Sequence, residues 1–205
     1  MATSPPTARR TQGERSAQTR SRLLEATIES LLEVGYAGTT TRRVTELAGV
    51  SQGAQTHHFP HRVDLVASAF EQLAAQRLDR FKEKGAGLPT DRATRLRALL
   101  DLVWDDFASQ LFTVAVKLWV AAADDPELRE RLVPVEKRIN SGIVTGAREV
   151  AGDLADDPDF DRMLAVAMNT AAGLALVRSF APTARPGRDD AWAFHRAVLE
   201  RGFSD

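Results

Sequence analysis

Cysteine is absent from this chain of 205 residues. That excludes disulfides, thiolate nucleophiles and thiolate metal sites. Tyrosine occurs once, and aromatic residues make up only 6%. Val and Ile are too sparse for many strands, whereas Leu, Ala, Arg and Glu favour helix. The expected fold class is therefore all-α. Long apolar runs are also lacking. The most apolar segment, Met163 to Val177, contains Asn169 and Thr170 and spans 15 residues, where a membrane span needs ~20. The first twenty residues hold no apolar run of the kind a secretory signal requires. A cytoplasmic location without membrane attachment is expected.

Catalytic constellations are missing too. There is no Gly-rich phosphate loop, and no Ser-His-Asp order stands out. Four adjacent acid pairs occur: Asp105-Asp106, Asp124-Asp125, Asp156-Asp157 and Asp189-Asp190. Neighbouring residues on a helix point about 100° apart, so these carboxylates do not converge. Three pairs stand at expected helix starts, where Asp caps the helix. The sequence is read as that of a non-enzyme.

The net charge of −1 conceals an asymmetry. Residues 1–62 hold eight Arg and five Glu, with three of the four His, while residues 63–205 hold 19 basic and 23 acidic side chains. A basic end on an otherwise acidic chain suggests that this end meets a polyanion.

Residues 1–14, which include Arg9 and Arg10, lack periodicity and read as a disordered basic arm; with Arg15 this arm could contact DNA or remain a solvated tail. A first helix then places Leu24, Ile28, Leu31 and Leu32 on one stripe and ends at Gly35, at a left-handed C-cap. The Thr39-Thr40-Thr41 run opens a second helix with core residues Val44, Leu47 and Ala48. Gly49 breaks it. Ser51 caps a short third helix over about Gln52–His57. A fourth runs from about His61 to Lys84, with Leu65, Ala69, Leu73, Gln76 and Arg80 down one side. Gly85 to Pro89 is a further break. Later helices are expected from Asp91, over 111–123, from Asp125-Pro126 with a kink at Pro134, over Phe160–Ala181, and over Asp190–Arg201.

Within the third helix, Gln52 and Thr56 share a face, as do Gly53 and His57. An amide, a hydroxyl and an imidazole beside a glycine suit base edges and phosphates. A helical corner in an ordinary bundle would show the same pattern. His57 and His61 stand at metal-ligand spacing, with His58 between them. However, Asp64 is the one carboxylate nearby and Pro60 interrupts the helix, so neither metal nor cofactor is expected.

The segment over residues 18–66 resembles the DNA-binding domain of the TetR family of bacterial transcriptional regulators. The matching residues are Leu24, Ala26, Ile28, Gly35-Tyr36, Thr40-Thr41, Val44, Ala48-Gly49-Val50-Ser51, Gly53, His57-His58-Phe59-Pro60 and Asp64-Leu65. The resemblance implies a helix-turn-helix domain over 15–62, followed by an effector-binding and dimerisation domain over 63–205 whose first helix, 63–84, connects the two. It places Thr40, Thr41 and Arg42 beside the DNA backbone, and Gln52, Gly53 and Ala54 at the groove. Thr56, His57 and His58 would reach phosphates or bases, and Arg62 a phosphate. Thr56 stands where the family usually has Tyr, and Gln55 where it prefers an apolar residue.

Met163 to Val177 is apolar nearly all round, so it needs cover on every side, which a second subunit could supply. The resemblance implies a homodimer joined through the last two long helices, with Val166, Ala167, Thr170, Leu174, Val177, Phe194 and Val198 as candidate contacts. Trp104, Phe107, Phe112, Trp119, Met163 and Met168 could line a pocket, with Asn140 and Asn169 orienting the ligand. That lining suggests a hydrophobic or aromatic effector. The expected function is a ligand-responsive repressor on a palindromic double-stranded DNA operator, nucleoid-associated when bound. The rival is a helical small-molecule-binding or interaction protein without operator binding, which Gln55 and Thr56 would favour.

Overall fold

Helices begin where the chain supplies a side-chain acceptor for an unpaired backbone N–H. The computed structural model describes residues 11–180 and 189–203, with side chains described for 11–178 and 191–203. Among these residues are nine α-helices: α1 (Gln12–Gly38), α2 (Thr41–Ala48), α3 (Gln52–His58), α4 (Arg62–Gly85), α5 (Arg92–Phe107), α6 (Gln110–Asp124), α7 (Pro126–Ala151), α8 (Phe160–Phe180) and α9 (Asp189–Gly202). A 3₁₀ turn, Gly152–Asp156, follows α7, and no strand occurs among the described residues. Thr40, Ser51, Asp91, Ser109 and Asp125 each cap a helix by accepting from a backbone N–H. Pro126 occupies the first turn of α7, and the helix continues through Pro134 as one element of 26 residues.

The start of α1 corrects the expected arm. Thr11 accepts from the Glu14 N–H at 3.2 Å, and the Glu14 carboxylate accepts from the Thr11 N–H at 2.7 Å. This capping box orders residues 11–14, the end of the expected arm. Arg9 and Arg10 lie outside the described residues. Gly35, expected to end the first helix, instead interrupts α1, which runs on to Gly38; its φ is 69° and its ψ −173°. That is a glycine-only region rather than a left-handed helical cap.

The chain forms two units, one ending at Ala69 and the other starting at Phe70. The division falls inside α4, neither at Arg62 nor at the Gly85–Pro89 break. Leu65 and Ala69 explain why: both are fully buried in the first unit's core with Leu23, Leu24, Val44, Ala48 and Phe59. Leu47, expected in that core, is 41% exposed, and Thr45 is buried in its place. Further along α4 the buried face passes through Leu73 and then Arg77 and Phe81, leaving Gln76 and Arg80 exposed.

In the second unit α5 packs on α8 and α9, α6 on α7, and α8 on α9. Leu99, Leu118, Leu128, Ile143 and Phe160 are among its fully buried side chains. α9 is held by Trp192, whose Nε1 donates to Asp101 at 2.7 Å and whose ring stacks on Trp104 at 5.1 Å. By length and composition Phe160–Arg178 could cross a membrane, a longer apolar span than Met163 to Val177, yet only 28% of that window is buried. Within one chain, Phe160, Leu164, Ala167, Ala171 and Ala175 are buried, while Val166, Leu176 and Val177 are left exposed.

Candidate nucleic-acid interface

The geometry of the first unit follows from three short links. Thr40 accepts from the Arg43 N–H at 3.1 Å and starts α2. Gly49, at φ 60° and ψ 42°, ends it in the left-handed conformation, where its N–H reaches the Glu46 carbonyl. A side chain there would be strained, and a Cβ would also lie 3.0 Å from an Arg22 guanidinium nitrogen. Two residues later, Ser51 accepts from the Ala54 N–H at 3.2 Å and starts α3. A left-handed glycine with a serine cap two residues on reverses the chain within one tight turn.

On α3, Gln52, Gly53, Thr56 and His57 are all exposed, Ala54 and His58 are half-buried, and Gln55 is buried. The two pairs expected to share a face do so. The Gln52 amide is held in place: its Oε1 accepts from the Thr45 hydroxyl at 3.0 Å, and its Nε2 donates to the Thr41 hydroxyl at 3.3 Å. One N–H of that amide remains for an outside acceptor. Thr56 donates its hydroxyl proton back to the Gln52 carbonyl at 3.1 Å. The His57 and His58 rings meet edge to face at 5.4 Å. α3 ends at His58 and α4 begins at Arg62, so the i, i+4 helical spacing of His57 and His61 is not realised.

Gln55 does not face outward. Only 2% of it is exposed, and its amide donates to the Phe59 carbonyl at 2.6 Å, closing the end of α3. A base contact by Gln55 is excluded in this arrangement, and its polarity serves the fold.

The arginines divide by duty. Arg43 straps α2 to α1 through Ser30, at 3.1 Å, and Glu33. Arg62, expected to meet a phosphate, is engaged within the protein. Its Nη1 donates to the carbonyls of Tyr36 at 2.9 Å and Thr39 at 3.2 Å, and its guanidinium lies 4.0 Å from the Tyr36 ring centroid. Arg42 is exposed and paired with Glu46 at 2.9 Å; that hydrogen bond and charge hold its pKa above the usual arginine value. Sequence reasoning missed Arg20 and Arg22. Arg20 stacks over the Phe59 ring at 5.3 Å, and Arg22 approaches Gly49 in the turn. Both are exposed on α1, so they add cationic surface next to the helix-turn-helix. Their positions beside the buried pair Leu23-Leu24 were a usable signal.

In the second unit Phe107, Phe112 and Trp119 meet edge to face, at 5.0 and 5.6 Å, but the expected pocket residues do not line one common cavity. Trp104 borders a cleft with Trp192 and Val177, and Trp119 borders another with Leu132 and Glu136. Phe107 and Phe112 are buried core, in edge contact at 5.0 Å. Met163 and Met168 are half-buried, and Asn140 and Asn169 are exposed. Asn169, expected to orient a ligand, lies on an exposed side of α8. The expected dimer contacts divide similarly. Val166, Val177, Phe194 and Val198 are 50%, 53%, 68% and 45% exposed. Thr170 and Leu174 are half-buried. Ala167 is fully buried on the same face as Leu164 and Ala171, so it cannot meet a second subunit.

The family model for bacterial regulatory proteins of the tetR family matches residues 23–69, the stretch that contains this geometry. An uncharacterized HTH-type transcriptional regulator of Mycobacterium tuberculosis is 34% identical over 174 residues, covering 84% of this chain and 89% of its own length. The HTH-type transcriptional regulator CymR of Pseudomonas putida is 41% identical over 123 residues, 60% of each chain. Among solved structures, a transcriptional regulator from a Rhodococcus species superposes with a TM-score of 0.71 at 28% identity, covering 89% of this chain and 96% of that one.

Proposed function

Because the chain belongs to the TetR family of bacterial regulatory proteins, we propose that it is a homodimeric repressor released from a palindromic operator by a small effector. It is a DNA-binding transcriptional regulator and not an enzyme. The observation that carries the operator reading is the outward face of α3. Gln52, Gly53, Thr56 and His57 are presented together, and Gln52 is pre-oriented by Thr41 and Thr45. Pre-orientation lowers the ordering cost of a base contact. Thr40, Thr41, Arg42, Ala54 and His58 flank this face as phosphate or groove contacts. Arg42 must exchange Glu46 for a phosphate.

Dimerisation through α8 and α9 is supported by the uncovered apolar residues Val166, Val177, Phe194 and Val198. A two-fold dimer presents two copies of α3 and so selects an operator with two half-sites. The effector binds in the second unit, and α4, which contributes to the first unit's core through Leu65 and Ala69, carries the response. DNA and effector favour different conformers, and each then weakens the other. The protein acts in the cytoplasm, on the nucleoid.

Selection of bound DNA from a random pool, followed by gel shift at several salt concentrations, tests the operator reading. The expected outcome is an inverted-repeat motif whose affinity falls when Gln52 is replaced by Ala. A folded dimer that enriches no motif would leave the rival, a binding protein without an operator. Sedimentation of Val177→Asp should give a folded monomer; a dimer would refute the α8 interface.

A further inference from the structure

Any hold on DNA needs cations that are free to meet phosphates. Residues 1–69 contain no lysine, so arginine supplies the fixed positive charge of the first unit. Three of its described arginines are already occupied. Arg42 pairs with Glu46, Arg43 with Ser30 and Glu33, and Arg62 with two carbonyls and the Tyr36 ring. The other three, Arg15, Arg20 and Arg22, all stand on α1, are exposed, and form no ion pair among the described residues. Over residues 12–24 the one acidic side chain is Glu14, and the capping box holds it at Thr11. Arg20 and Arg22 are two positions apart on a helix, so they project about 200° apart, to opposite sides. Arg20 lies over the ring of Phe59, the residue that closes α3, at 5.3 Å from its centroid. Arg22 lies against the turn, where one of its guanidinium nitrogens would be 3.0 Å from a Cβ on Gly49, two residues before the Ser51 cap that opens α3. One free arginine therefore stands at each end of α3.

We propose that Arg20 and Arg22 are phosphate contacts that clamp the DNA backbone on either side of α3. α3 has seven residues and is about 10 Å long, against a major groove about 12 Å wide. A helix of that length seated in the groove leaves both phosphate walls within reach of arginines at its two ends. A guanidinium stacked on a ring keeps its in-plane N–H donors free, so Phe59 fixes the direction of Arg20 before DNA arrives. Gly49 serves a second purpose beside its left-handed φ: without a side chain it lets Arg22 lie against the turn. Phosphate contacts carry no sequence information, so α1 supplies the grip while α3 reads the bases. This rests on the operator reading, but it moves the charge that holds the duplex from the helix-turn-helix to the helix before it.

Fluorescence anisotropy of the full-length protein over a range of salt concentrations tests the clamp, with a duplex selected from a random pool and an unrelated duplex of equal length. The slope of log affinity against log salt should become shallower by about one per bound subunit for Arg20→Gln, and likewise for Arg22→Gln. Both variants should weaken the two duplexes by similar factors, about tenfold near physiological salt, leaving their ratio within about threefold. Arg20→Lys and Arg22→Lys keep the charge and should keep the parent slope. Lys137→Ala, a like loss of charge in the second unit, should leave slope and affinity unchanged. A purely structural role would lower affinity and melting temperature together at an unaltered slope. An unchanged slope in either glutamine variant therefore overturns the clamp, and so does a changed DNA motif at unchanged slope. A parent that holds both duplexes equally, with these slope changes in the variants, keeps the clamp and removes the operator reading. A parent with a selected motif whose slope ignores both arginines does the reverse.

Discussion

The two units are held by interactions of different reach. In the first, the links that shape the helix-turn-helix mostly span three or four residues: Thr40 to Arg43, Ser51 to Ala54, Gln55 to Phe59. In the second, the polar ties join distant segments, as in Arg97 with Glu200, Trp192 with Asp101 and Arg77 with Asp106, and the bulk is Leu, Val and Phe packing. Short-range ties depend on which residue stands at one position, so they read as a motif. Long-range packing depends on volume and face, which many sequences satisfy.

Substitutions can break or sharpen this contrast. The largest effect is expected in the second unit. Phe160 is fully buried, and Phe160→Ala should cost about 3–5 kcal/mol in urea unfolding. A smaller cost than that of any single polar change in the first unit would undo the comparison. Next is Arg62→Ala, which strips the carbonyls of Tyr36 and Thr39 of a charged donor. It should cost about 2 kcal/mol and weaken DNA binding through the fold, leaving the salt slope unchanged. A slope shallower by about one, at unaltered stability, would restore Arg62 as a phosphate contact.

Gln55→Leu should cost about 1 kcal/mol by orphaning the Phe59 carbonyl. The selected DNA motif should stay the same. A shifted motif would mean that Gln55 reaches the groove after all.

The smallest effect concerns pH. Burial raises the Glu136 pKa, with the Trp119 N–H bond opposing in part. A carboxyl whose folded pKa is raised contributes its stability below the unfolded pKa and loses it as pH climbs through the folded value. Glu136→Gln should therefore gain stability relative to the parent between about pH 4 and pH 8, by less than about 1 kcal/mol, read from melting temperatures. A constant difference across that range would show that burial there is slight.

Legibility followed the same division. Gly49, Ser51, Asp91 and Asp125-Pro126 announced the helix boundaries because turns and caps are local chemistry. The capping box at Thr11 and Glu14 is equally local chemistry, but it stands beside a Pro- and Thr-rich stretch whose composition suggests disorder. The role of Gln55 was not legible, because its partner is a backbone carbonyl, which no side-chain pattern displays. The carbonyls that Arg62 meets were not legible either, because they are 23 and 26 residues away. The pocket failed for a third reason: aromatic residues identify apolar volume but not whether a neighbour already fills it. Phe107 and Phe112 fill one another's space.

The amino-acid sequence by itself determined the helical class, the turn between α2 and α3 and the outward face of α3, since these depend on dihedral preference, capping and a periodicity of 3.6 residues. Only the tertiary structure decided which arginines are engaged and which are open, that Ala167 turns inward while Val166 and Val177 do not, and that Arg20 and Arg22 stand at opposite ends of α3. Those outcomes depend on which helix faces meet, and residues far apart in the chain settle that together.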